Sequence, residues 1–305
     1  MVAPTAPVVP SSHTDLLDRP LSAVLTTHLA SGRLQSSIVW FWSDGDAVLV
    51  STMAEFCKAR NMLARPRATL MVLEPGGHRR WLEIRADVVA VPGDGMADLD
   101  AVGLRYCGVE PYFGAVVPAE LAEVEHPITF RLLPTTVVAG PTPPSRPSSP
   151  RRGTSGLPPT SAGHEDVAIP ASHRDLLDRP LHGALSTRMP DGSAQTQPVW
   201  FGRDGDVVLL STTLERRKGR NLLADPRATV LVVDPADSSR WIEIRGDVEL
   251  TTEGAVELVD HLTRHYTEHP AYYGHVAPDD DAAAAETRVT VRLHPRRVVC
   301  DAIHR

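Results

Sequence analysis

Cysteine is scarce in this chain. Cys57, Cys107 and Cys300 are the three among 305 residues, odd in number and without CxxC or finger spacing. That excludes a disulfide framework and a structural zinc site, and it suits a reducing compartment. Long apolar runs are missing as well, so no membrane-spanning helix is expected. Basic charge is in deficit: Lys and Arg total 31 against 38 Asp and Glu, with a net charge of -7. The broad basic footprint of a nucleic-acid binder is therefore absent, and any basic site must be local. There is no Walker loop, no GxGxxG, no GxSxG and no Ser-His-Asp order, which leaves nucleotide-triphosphate chemistry and nucleophilic hydrolysis without a motif. The opening stretch MVAPTAPVVPSS has neither a basic n-region nor an apolar h-region, so it reads as a floppy tail rather than a signal peptide. The expected compartment is the cytoplasm.

What the sequence does contain is a copy of itself. Shifted by 160 residues, Ser12 to Val88 aligns without a gap to Ser172 to Val248, and 42 of the 77 pairs are identical. Tyr112 still matches Tyr272, and after a one-residue slip ITFRLLP matches VTVRLHP. Repeats this long are whole domains rather than solenoid units. With hydrophobic residues at 42% and charged residues at 23%, each copy can hold a core of its own. The expected organisation is a disordered tail over 1–11, one domain over 12–139, a linker over 140–168 and a second domain over 169–305. The linker, rich in Pro, Ser and Gly, cannot build a core. As a flexible tether it would span on the order of 30 Å, enough for the two copies to pack face to face as an intramolecular pseudo-dimer.

Each copy is mainly β with a few helices. HxDLLDRPL predicts a short helix capped by Asp15 or Asp175 and ended by Pro20 or Pro180. Two β-rich runs then flank Asp44-Gly45 and Asp204-Gly205, a hairpin signal. TMAE and TTLE have the Thr-x-x-Glu spacing of a capping box, predicting Thr52 and Thr212 at the N-cap of a helix that stops before Pro66 and Pro226. Two strands follow, the second alternating Leu82, Ile84, Ala86 and Val88 toward a core with Glu83, Arg85 and Asp87 toward water. A helix around Asp98 to Tyr106, or Val256 to Tyr266, and a last strand complete a small antiparallel barrel, a form that closes its own edges.

The helix after the hairpin is the candidate site. Its N-terminus offers unpaired N–H groups and the positive end of a dipole to an anion, and basic side chains sit beside it. The second copy supplies Arg216, Arg217, Lys218 and Arg220, while the first keeps Lys58 and Arg60. Such residues on a helix are ordinarily a solvated face; in an acidic protein, directly after a strand, they also fit a phosphate cradle. Trp40, Trp200, Trp81 and Trp241 read as core by composition. His261, His265 and His269 recur every four residues, but no carboxylate or cysteine set accompanies them and no metal site is expected.

The strings QPVWF, DGD, STT, RRKGRNLLADPRATVLVVDP and WIEIRGDVEL resemble the pyridoxamine 5'-phosphate oxidase-like, FMN-binding split β-barrels, and most of all their actinobacterial coenzyme F420-dependent branch. Both copies are covered, from Ser12 to about Ala139 and from Ser172 to about Cys300. Such proteins are normally homodimers with cofactor sites in the subunit interface, so the resemblance implies a monomer acting as a pseudo-dimer. It also implies that Lys218, with Arg216, Arg217, Arg220 and Asn221, holds the cofactor phosphate, and that Lys58, Arg60 and Asn61 form the matching set. Gln195, Pro198, Val199 and Trp200 with Ser211, Thr212 and Thr213 would line the ring system, their counterparts including Ser51 and Thr52. The first copy has Ile38 in place of Pro198 and Phe56-Cys57 in place of Arg216-Arg217, which predicts unequal sites. The implied activity is hydride transfer between reduced F420 and a small conjugated organic substrate, with no catalytic side chain identified and no nucleic-acid or membrane partner. The alternatives are an FMN-dependent oxidase or reductase and a non-catalytic flavin- or haem-binding protein, His265 being the haem candidate.

Overall fold

The computed structural model describes residues 7–75, 80–93, 95–140, 167–277 and 286–301. Most of the expected linker and the first six residues of the expected tail lie outside these. The chain divides into two units near residue 143, each with its own core.

The first unit has seven strands: β1 (Ala23–His28), β2 (Leu34–Val39), β3 (Trp42–Asp44), β4 (Ala47–Met53), β5 (Arg67–Leu73), β6 (Trp81–Ala90) and β7 (Pro127–Gly140). They form one antiparallel sheet in the order β2-β1-β5-β6-β7-β4-β3, which curls until β2 approaches β4. Helices α1 (Asp15–Asp18), α2 (Cys57–Ala64) and α3 (Met96–Cys107) lie between strands. The second unit repeats this with β8 (Gly183–Arg188), β9 (Ala194–Val199), β10 (Phe201–Asp204), β11 (Val207–Thr213), β12 (Arg227–Asp234), β13 (Asp237–Thr251) and β14 (Arg288–Cys300), in the order β10-β11-β14-β13-β12-β8-β9. Its helices are α4 (Arg174–Asp178), α5 (Arg217–Ala224) and α6 (Ala255–Tyr266). These are two split β-barrels, as the family resemblance implies, and the duplicated pattern accounts for there being two.

Alternation fills each barrel. Leu25, Phe41, Leu70, Ile84, Phe130 and Leu132 meet in the first core, and Phe201, Val230, Ile244, Val291 and Leu293 in the second. Each such side chain contributes about 1.5–3 kcal/mol when fully buried. Val9 packs on the first core and Ile169 lies in the second, so the packed chain starts slightly before the strongest repeat. The hairpin loop is Gly45-Asp46, with Asp44 opposite Ala47 and Gly45 in the left-handed region at φ 62°, a conformation that favours glycine.

Three local expectations fail for identifiable reasons. Thr52 and Thr212 do not cap a helix: they remain in strands, paired with Ile128 and Val289, and the helices start at Cys57 and Arg217 without a side-chain cap. The glutamates of the supposed box bind elsewhere, Glu55 to the His126 N–H and Glu215 to the Thr287 N–H, the latter at 3.0 Å. Asp15 and Asp175 stand inside the first helical turn and pair with Arg80 and Arg240 rather than capping. The outer face of β6 is not wet throughout. Glu83 is fully buried and meets Arg85 at 2.9 Å, and Glu243 meets Arg245 at 2.6 Å; opposite charges brought together lower the cost of removing each from water.

The helix after β13 is fastened by one hydroxyl. Tyr266 Oη donates to the Leu181 carbonyl at 2.7 Å and accepts from the Phe201 N–H at 3.3 Å, while its ring stacks on Trp200 with 5.3 Å between centroids. Tyr106 and Trp40 repeat the arrangement in the first unit. Tyr266→Phe keeps the ring but orphans the backbone groups, and we expect the second unit to lose about 1–3 kcal/mol, measured by denaturant unfolding. Unchanged stability would show that these bonds contribute nothing.

Candidate functional site

In each unit the site begins where β4 or β11 ends and a three-residue turn leads into α2 or α5. Both helices are eight residues long with uncapped N-termini, so their first-turn N–H groups face outward without helical acceptors. A buried amide sets the position of the helix. Asn221 Nδ2 donates to Thr187 Oγ1 on β8 at 3.0 Å and to Gln195 Oε1 on β9 at 3.1 Å. Asn61 makes the same pair of bonds to Thr27 and Gln35, each at 3.0 Å. Contact with the strand end is equally close: a Cβ at Gly219 would stand 2.1 Å from the Thr213 carbonyl oxygen.

The residues expected to bind a cofactor thus separate into groups. Asn221 and Gln195 are buried at 1% and 4% exposure and direct their amides inward, so they hold the helix in place. Val199 belongs to the core. Trp200 stacks on Tyr266, and its indole N–H donates to His182 at 3.2 Å, while Pro198 is half-buried on β9 opposite Ala184. Ser51, Thr52, Thr212 and Thr213 carry buried hydroxyls with no hydrogen-bond partner among the described residues. Unsatisfied hydroxyls of this kind are uncommon in a finished interior, and they suit a polar ligand placed against the strand end.

Arg216, Arg217 and Arg220 are exposed around the start of α5, with Arg220 folded back on the Glu215 carbonyl. Lys218 is half-buried between them. Burial, with Arg216 and Arg288 as nearby like charges, lowers its ammonium to about 8. Lys58 is lowered to about 8 by burial alone, with Cys57 acting in the opposite direction; its ammonium lies 5.1 Å from the Phe56 ring centroid. Arg60 is exposed.

Arg288 is the residue that reading along the chain misses. It opens β14 opposite Thr213 and is only 8% exposed. Its Nε donates to Tyr273 Oη at 2.7 Å and its Nη1 to Ser211 Oγ at 3.1 Å, and the guanidinium carbon stands 4.7 Å from the Tyr272 ring centroid. The corresponding position in the first unit, opposite Met53, is Pro127. The signal was available in the one-residue slip that aligns ITFRLLP with VTVRLHP, which places Pro127 against Arg288.

No group of three or more His, Cys, Asp or Glu suited to a metal occurs among the described residues. His261 and His265 stand parallel on α6 at 6.5 Å, but the helix ends at Tyr266, and His269 instead stacks on His275. The four-residue recurrence therefore does not put all three histidines on one helix face. Among the described residues no helix is long and apolar enough to cross a membrane.

Lys218 supplies a pH test. Its ammonium is charged below about pH 8 and neutral above, so an anion should bind fully near pH 7 and lose up to about tenfold in affinity near pH 9. Folding responds with the opposite sign: the unfolded lysine keeps its ordinary higher value and holds the proton longer, so this group makes stability rise between about pH 8 and pH 10.5. FMN titrations across that range check the first effect, and affinity that rises with pH would contradict it.

The family model described as pyridoxamine 5'-phosphate oxidase matches residues 10–114 and 169–299. Among solved structures, one described as an F420 reductase is 32% identical, covering 43% of this chain and 98% of its own, with a TM-score of 0.37. A conserved hypothetical protein from Mycobacterium tuberculosis is 22% identical, covering 46% and 89%, at 0.35. The heme storage protein HutZ from Vibrio cholerae is 21% identical, covering 42% and 91%, at 0.34. No curated protein matches the sequence.

Proposed function

Because the chain belongs to the pyridoxamine 5'-phosphate oxidase family, we propose that it is an oxidoreductase whose second unit holds a flavin-type cofactor, coenzyme F420 in the first instance, by its phosphate. The observation that carries this reading is the meeting of Lys218, Arg216 and Arg288 at one strand-to-helix turn. The fit rests on chemistry: a cationic set, an uncapped helix N-terminus and unsatisfied hydroxyls at Thr212 and Thr213 together suit a phosphate and the polar groups next to it.

When bound, reduced F420 supplies a hydride to a conjugated C=C or C=N bond of a small organic substrate. The chain binds and orients. Lys218 and Arg216 neutralise the phosphate, the Asn221 amide keeps the helix N-terminus aimed at it, and the close seat of Gly219 on Thr213 fixes the distance from helix to strand. Arg217 and Arg220 extend positive charge beyond the cradle, which favours a cofactor with an acidic tail over FMN, whose charge ends at its phosphate. We read the chain as a monomeric pseudo-dimer with unequal sites, since Phe56, Cys57 and Pro127 occupy the positions of Arg216, Arg217 and Arg288 in the first unit.

Titration of the purified chain with F420 and with FMN, followed by fluorescence, should give one tight site per chain and preference for F420. Lys218→Ala should weaken that site by roughly 1–3 kcal/mol, the scale of a charge-assisted hydrogen bond, and Lys58→Ala by less. Binding of neither cofactor would refute the reading; equal losses at the two lysines would refute the inequality of the sites.

A further inference from the structure

Glu286 is the carboxylate set against the cationic cluster of the second unit. It stands 3.4 Å from Arg288 Nη2 and 4.0 Å from Arg216 Nη2. Both separations are long for a charge-assisted contact, which closes to about 2.7–2.9 Å when the groups are committed to each other. Arg240, by comparison, approaches Asp234 at 3.2 Å, and Arg203 meets Asp178 at 2.6 Å. One acid is thus shared loosely between two guanidiniums.

The guanidinium of Arg288, in contrast, is held firmly by neutral groups. Tyr273 Oη and Ser211 Oγ accept from Nε and Nη1, and the rings of Tyr272 and Tyr273 lie 4.7 and 5.1 Å from its central carbon. Removing Glu286 would therefore leave Arg288 in place. Five N–H donors belong to a guanidinium, and its anchors engage Nε and one proton of Nη1, so the Nη2 edge that meets Glu286 can be offered to another oxyanion. An open cavity of about 550 Å³ lies beside it, lined by Arg288, Glu286, Tyr273 and Thr287 with Asp260 of α6, while Lys218 and Arg216 are outside its lining. The position of Arg288 next to Arg216 follows from Glu215, whose carboxylate fixes the Thr287 N–H at 3.0 Å and ties the start of β14 to the turn before α5.

We propose that Arg288 and Glu286 form an exchange pair, in which Glu286 serves as the internal counter-anion of Arg288 and Arg216 until a phosphate-bearing ligand displaces it and takes the Arg288 edge. This deepens the cofactor reading and rests on it for the identity of the ligand, while the exchange itself concerns any phosphate oxyanion. It also gives the second unit a device that the first lacks, because Pro127 can offer no charge at the position of Arg288.

The pair makes predictions of opposite sign. Glu286→Gln removes the competing charge and should tighten both inorganic pyrophosphate and FMN by about fivefold, whereas Arg288→Gln should weaken both by about tenfold or more. Calorimetric titration of the full chain measures each. Because Glu286 is partly exposed, its substitution should leave the fold intact, which circular dichroism checks, so the test does not depend on the Arg288 variant folding. Pyrophosphate affinity that is unchanged or lower in Glu286→Gln would overturn the exchange, as would an absence of pyrophosphate binding to the unaltered chain. Pyrophosphate binding that tightens as expected, with neither FMN nor F420 bound, would instead retain the exchange and overturn the cofactor reading.

Discussion

The site depends on one buried amide. Asn221 reaches from α5 to Thr187 and Gln195 on two neighbouring strands, and Asn61 does the same from α2. A short helix has little stability of its own, so its direction must come from tertiary contacts. Burial makes the amide effective, because breaking its bonds would leave polar atoms without water. With the helix held this way, its uncapped N-terminus, its lysine and the end of the preceding strand face one small region. The Glu215 bond to Thr287 then brings the start of the last strand to the same place, and Arg288 with it.

That shared scaffold carries two different electrostatic outcomes. Both units keep the asparagine, the lysine and the Ser-Thr pair near the strand end, while Met53 stands where the second unit has Thr213. The first sets an aromatic ring and a thiol beside its lysine, while the second sets guanidiniums there, and these share one loosely placed acid. Lys218 is lowered by like charges as well as by burial, and Lys58 by burial. A bound anion would relieve the crowding of charge in the second unit, which gives that unit a stronger reason to take one.

The barrel was largely legible in the sequence because strand alternation, the glycine at the hairpin and the proline stops are local signals, and the duplication showed each of them twice. Readings that required knowing where a side chain ends up were less secure. Thr52-x-x-Glu55 has capping-box spacing, yet the strand runs through Thr52 and the glutamate turns to a distant N–H. Glu83 alternates toward what looks like solvent and is buried against Arg85. Gln195 and Asn221 stood out beside the cradle, but their amides are engaged in holding the helix.

By itself the sequence determined that there are two copies of one β-rich domain, that each places a lysine at the start of the same helix, and that the second copy concentrates positive charge there. These follow from spacing and residue type, which a chain carries along its length. Only the tertiary structure decided which polar groups point inward, that Arg288 joins a cluster some seventy residues earlier in the chain, and that Glu286 stands between two guanidiniums. Strand pairing across the barrel brings those residues together, and the one-residue slip that precedes β14 conceals that pairing from a reading in register.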